Sequence, residues 1–122
     1  MARKESILKK KTEAFASRII KLYLFLVNQK KEMIMSKQIY RSGTSIGANV
    51  AESINAQSEA DFISKLSIAL KEADETDYWL KNLYSAHYID DIGFNSLQED
   101  NEEIIKILVS SIKTMKRKTN NI

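Results

Sequence analysis

The sequence predicts an all-α fold, an antiparallel up-down-up-down four-helix bundle in a single domain spanning residues 1–122. Three observations lead there. Apolar residues recur every three or four positions along four long stretches, and nowhere do they alternate as in a strand. Proline is absent and there are 3 glycines, too few for a turn-rich β fold. The stretches run to roughly 20–30 residues with short links, which suits antiparallel neighbours. A chain of 14.0 kDa buries about two thirds of its unfolded surface, enough for one core.

The first helix is expected over about 6–28. Leu8, Thr12, Phe15, Ile19, Leu22 and Leu26 lie on one face, widened by Ile20, Tyr23 and Val27. The second is expected over about 31–55, with Ile34 or Met35, Ile39, Ile46, Val50 and Ile54 as its apolar line. Gly43 and Gly47 stand inside it, each costing about 1 kcal/mol relative to alanine. With Ser42, Thr44, Ser45 and Ala48 around them, they point to close approach of another helix, or a kink. The alternative is a break into two shorter helices.

The third helix, about 58–88, opens on Ser58-Glu59-Ala60-Asp61, a cap with an acidic third residue. Phe62, Leu66, Ala69, Ala73, Thr76, Leu80, Leu83 and His87 follow at helical spacing, which places His87 at the edge of the core. The fourth is expected over about 95–116, with Leu97, Ile104, Ile105, Leu108, Ile112 and Met115 facing inward. Glu99, Asp100, Glu102 and Glu103 crowd its start, and Lys113, Lys116, Arg117 and Lys118 its end, complementing the helix dipole. Thr119 to Ile122 should fray.

Composition also excludes chemistry. Without cysteine there are no disulfides, thiolate nucleophiles or cysteine-ligated metals. The one histidine, His87, has Tyr84 three residues before it, so the Glu-x-x-His pair of a di-iron bundle is missing. There is no Gly-x-Ser-x-Gly elbow and no glycine-rich phosphate loop. Asp74, Glu75 and Asp77 point in different directions from one helix, a poor metal site. The expectation is a non-enzymatic protein without cofactor or metal. The longest apolar run, Leu22 to Val27, is far short of the roughly 20 residues that span a bilayer. No membrane association and a cytoplasmic location are therefore expected.

Charge is unevenly distributed. Residues 1–50 hold 11 Lys/Arg and 3 Asp/Glu (net +8), residues 51–105 hold 3 and 13 (net −10), and residues 106–122 hold 5 and 0 (net +5). Lys9, Lys10, Lys11, Arg18, Lys21, Lys30, Lys31 and Lys37 form a candidate RNA- or DNA-binding set. Such side chains meet phosphates rather than bases, and no aromatic residues interleave with them to stack single strands. The same asymmetry fits head-to-tail assembly of identical copies. It equally fits solvated faces that balance within one molecule. Tyr78 and Trp79, off the main core line of the third helix, are candidate interface anchors.

Gln38, Arg41, Ser42, Ser45, Asn49 and Glu52 recur along one face of the second helix. Serine, asparagine and single charges suit partial burial with specific hydrogen bonds. A buried Arg41 requires a carboxylate, for which Glu52 and Glu75 are the candidates. The stripe reads as a network fixing helix register, with a ligand or partner site, an ordinary solvated face, or an enzyme or metal-dependent protein using Arg41, Glu52 and Glu75 as alternatives; a purely structural protein with no ligand is a further one.

The run Gln38-Ile39-Tyr40-Arg41-Ser42-Gly43-Thr44-Ser45-Ile46-Gly47-Ala48-Asn49-Val50-Ala51-Glu52 resembles the motif of a four-helix-bundle family. That family is named for proteins encoded in the intervening sequences of bacterial large-subunit ribosomal RNA genes. Asp61 to Leu70, with Glu75 and Leu80, is similar to its third helix. Ser53 departs from it, since many members carry glycine there. The resemblance implies a bundle that assembles as a five-membered ring, with Gln38, Arg41, Ser45, Asn49, Glu52 and Glu75 at the family's motif positions. Most members have no established activity. Relatives that serve diversity-generating retroelements associate with a reverse transcriptase and bind nucleic acid through a basic surface, so a homo-oligomer with a protein or nucleic-acid partner is the implied role.

Overall fold

The computed structural model describes residues 2–120, with side chains from Ile7 onward. Four α-helices follow one another: α1 (Ala2–Asn28), α2 (Met35–Ile54), α3 (Glu59–Ser85) and α4 (Asp91–Asn120). Each packs on its neighbours, α1 on α2 and α4, and α3 on the same two.

The contacts between helices fix the directions. Gly43 packs on Ile19, and Gly47, one turn further along α2, packs on Thr12, nearly two turns back along α1. Arg41 reaches Glu72 while Glu52 reaches Lys65. Gln98 bonds Asp77, and Asn101 bonds the Ala73 carbonyl. Arg18 pairs with Asp100 while Lys11 pairs with Glu103. In each case the numbers rise on one helix as they fall on the other, the up-down-up-down order.

The inward faces are mostly those that the periodicity marked out, although Ile54, expected on the apolar line of α2, and Ile20, expected to widen that of α1, are exposed. Phe15, Ile19, Leu26, Ile39, Ile46, Leu66, Leu80, Leu83, Ile104 and Leu108 are fully buried. α2 is one unbroken helix, so the glycines serve close approach rather than a break. A Cβ on Gly43 would lie 2.8 Å from Ile19 Cγ1, whereas one on Gly47 would sit 3.4 Å from Thr12 Cβ.

Helix ends differ from the sequence expectation at several places. α2 begins at Met35, not near Lys31, because Lys31 turns the chain with φ 56° and Glu32 caps the helix from outside. The buried Glu32 carboxylate accepts from the backbone N–H of Ile34 (3.1 Å), Met35 (3.1 Å) and Ser36 (2.7 Å). Burial pushes its pKa up, but those donors outweigh burial and hold it below the ordinary carboxylate value. α4 begins at Asp91, a turn earlier than expected, since Asp90 caps it by accepting from the Gly93 N–H at 2.7 Å. α4 also continues to Asn120: Thr119, expected to fray, bonds Glu59 Oε2 and the Met115 carbonyl. Asn121 and Ile122 lie outside the described residues. α3 starts as read, with Ser58 Oγ accepting from the Asp61 N–H at 3.0 Å. It ends at Ser85, however, and His87 lies beyond it, exposed and with φ 66°, rather than at the core edge.

Candidate functional site

The polar stripe of α2 meets α3 along one seam. Arg41 lies about half exposed and reaches across to two carboxylates, Glu72 (3.1 Å) and Glu75. Desolvation alone would lower the guanidinium pKa, and the two glutamates more than reverse this and raise it. Glu75 is the third-helix partner expected for Arg41. Glu72 was not foreseen, although it stands one turn before Glu75 on the same face. Glu52 is not a partner of Arg41: it lies about three turns further along α2, where Lys65 pairs with it at 3.3 Å.

Below the ion pair, Ser42 is fully buried and its Oγ lies 2.9 Å from the Thr76 hydroxyl, which also lies 2.8 Å from the Glu72 carbonyl. Ser45 and Asn49 do not extend the network across to α3. Ser45 Oγ donates to the Arg41 carbonyl at 2.5 Å and Asn49 Nδ2 to the Ser45 carbonyl at 2.9 Å, both within α2. Gln38 is exposed and outside the network. The seam thus holds Arg41, Ser42 and Glu75 together, and leaves Glu52, Ser45, Asn49 and Gln38 apart from them.

The candidate nucleic-acid set is dispersed as well. Lys11 pairs with Glu103 (2.5 Å), and Arg18 with Asp100 (2.6 Å) and the Ser96 hydroxyl (2.9 Å), so both face α4. Lys9 pairs with Glu13 on its own helix. Lys30 lies over the Phe25 ring, 5.7 Å from its centroid. Lys10, Lys21, Lys31 and Lys37 are exposed, and no ion pair among the described residues engages them. The basic α1 and acidic start of α4 therefore balance in part within one molecule.

A third feature escaped the sequence. At the end of the bundle where α1 turns into α2 and α3 into α4, Ile34 is 75% exposed and Ile92 82%. Leu24, Phe25 and Met33 are also open to solvent there. Beside them lies an open groove of about 990 Å³, lined by Lys21, Phe25, Tyr84, Tyr88 and Ile92 among others. Tyr84 stacks on Phe94 at 4.3 Å, and its hydroxyl bonds Asp91. Of the two residues offered for the start of the α2 apolar line, Met35 packs against the core and Ile34 does not; Met33 and Ile34 fall in the link before α2, and Ile92 in the first turn of α4. Tyr78 is 59% exposed, while its neighbour Trp79 packs partly into its own core. Among the described residues no group of three or more His, Asp or Glu is placed to hold a metal ion, and no helix is long and apolar enough to cross a membrane.

Fold and seam together define a four-helix bundle in which ion pairs brace α2 against α3 and α1 against α4. The chain belongs to the family of 23S rRNA-intervening sequence proteins, whose model matches residues 4–110. It is similar to the crystal structure of a protein of unknown function from the S23 ribosomal protein family of Bacteroides thetaiotaomicron VPI-5482. The two are 56% identical with a TM-score of 0.89, over 90% of this chain and 98% of that one. No curated protein matches the chain.

Proposed function

We propose that the chain is a non-enzymatic assembly or adaptor protein that works as a homo-oligomer, a ring of five copies, and carries RNA or DNA on a basic surface. The observation that carries the assembly is the apolar end of the bundle. Ile34 and Ile92 contribute nothing to the core of one copy, and large apolar patches on soluble proteins mark contact surfaces. The internal pairing of Lys11 and Arg18 favours contact through this end over a purely ionic head-to-tail contact. An enzyme built on Arg41, Glu52 and Glu75 has less support, because Glu52 stands apart from the other two.

Light scattering at low and high salt tests the assembly, with Ile34→Asp/Ile92→Asp as the variant. A mass near five times 14.0 kDa that persists in high salt, and falls to that of one copy in the variant, is the expected result. A wild-type mass of one copy would overturn the proposal. Dissociation in high salt would move the contact from the apolar end to the charged faces.

A further inference from the structure

The last acidic residue of the chain is Glu103; beyond it Lys106, Lys113, Lys116, Arg117 and Lys118 meet no Asp or Glu in sequence. α4 turns Ile104, Leu108, Ser111, Ile112 and Met115 inward. At about 100° per residue, Lys106, Lys113 and Arg117 then fall together on the opposite face. All three are exposed and border one shallow groove floored by Ile105, Val109 and Thr114. No ion pair among the described residues engages any of them. On α1, by contrast, Lys9, Lys11 and Arg18 are each neutralised by a carboxylate, and among the described residues Lys10 and Lys21 stand without one. Among the described residues α4 therefore carries three uncompensated cations on one face, against two on α1.

We infer that the outer face of the C-terminal half of α4 is a docking surface for the phosphate backbone of a nucleic-acid duplex, met by Lys106, Lys113 and Arg117. The inference rests on the nucleic-acid part of the proposed function and moves its surface from the set running from Lys9 to Lys37, on α1, the following link and the start of α2, to α4. The stripe spans about 16 Å of helix axis, the length of about five phosphates along one duplex strand. It carries no aromatic ring on which an unpaired base would stack, which favours a duplex over a single strand. It also exposes no large apolar side chain for insertion into a lipid surface. Recognition through lysine and arginine on phosphates is independent of sequence.

The test is fluorescence anisotropy with short labelled DNA and RNA duplexes, and a single strand of equal length, at about 50 and 200 mM salt. The Lys106→Gln/Lys113→Gln/Arg117→Gln variant should bind duplex at least about tenfold more weakly at the lower salt, with its salt slope reduced by about three. Lys113→Gln alone should reduce the slope by about one, which guards against misfolding of the triple variant. Equal loss on DNA and RNA identifies the shared backbone as the ligand, and loss on one alone identifies that duplex. If Lys10→Gln/Lys21→Gln weakens binding and the α4 variants do not, nucleic-acid binding stands and the α4 surface falls. If wild type binds neither duplex, or binds only the single strand or anionic vesicles, the inference is overturned. Failure on every nucleic acid takes the underlying reading with it.

Discussion

On the flank of α2 that meets α1, small residues let two backbones close together. Gly43 lies against Ile19 with no space for a Cβ, and Gly47 lies against Thr12 with just enough. On the flank that meets α3, small residues do something else. Ser42 shares a buried hydroxyl contact with Thr76, Ser45 folds back onto its own helix, and Arg41 reaches over both to Glu72 and Glu75. One flank is dry and decided by shape; the other is half wet and decided by hydrogen bonds. The lesson is that glycine and serine in one run are not one signal. Their role follows from what the facing helix brings, and only the packed structure supplies that.

The dry flank should break hardest. Gly43→Val places branched carbons where Ile19 already fills the space and should lower unfolding free energy by about 2 kcal/mol. Gly47→Ala should go the other way. Its Cβ would make ordinary contact with Thr12, and alanine gains about 0.5–1 kcal/mol of helix propensity over glycine. Urea denaturation of the two variants measures both. If both substitutions shift the midpoint in the same direction, the distinction between these two glycines fails.

Much of this was legible beforehand, and the exceptions share a cause. The inward faces followed from apolar spacing, since Phe15, Ile19 and Leu26, or Leu66, Leu80 and Leu83, have nowhere else to go in an amphipathic helix. The Ser58 cap followed from a familiar order of residue types. Glu32 was not legible. A glutamate in a lysine-rich link reads as a solvated charge, and its role depends on Lys31 adopting a left-handed turn that glycine usually marks. The start of α4 was misplaced because Gly93 reads as a breaker, while Asp90 caps its N–H and draws it into the helix. On the seam, Arg41 and Glu75 were paired correctly. Glu52 has the charge that Arg41 needs but stands too far along α2, and Lys65 of the third helix holds it instead.

Glu32 sharpens the comparison because it fixes where both flanks of α2 begin. Glu32→Ala removes the acceptor for three backbone donors and should cost about 1–2 kcal/mol at neutral pH. The pH dependence has a definite sign. The folded pKa lies below the unfolded value, so the contribution is complete above the unfolded value of about 4.3 and is lost as pH falls through the folded one. Melts of wild type and variant should therefore converge in acid. A gap that stays constant down to strongly acidic pH would mean that the carboxylate charge contributes nothing to the cap.

The wet flank should yield least. Arg41 keeps 51% of its side chain exposed, so its attraction to Glu72 and Glu75 acts largely through water. Arg41→Met should cost about 0.5–1 kcal/mol, less at 1 M salt, where screening acts over about 3 Å. Ser42 and Thr76 beneath it keep their contact, so the helix register survives the loss of the ion pair. A cost of the size expected for Gly43→Val, unmoved by salt, would mean that the seam is held as the dry flank is held, and the contrast between the two sides of α2 would disappear. Glu75→Gln separates this structural role from a chemical one. On the structural reading it should lower stability modestly and change nothing that the folded protein does.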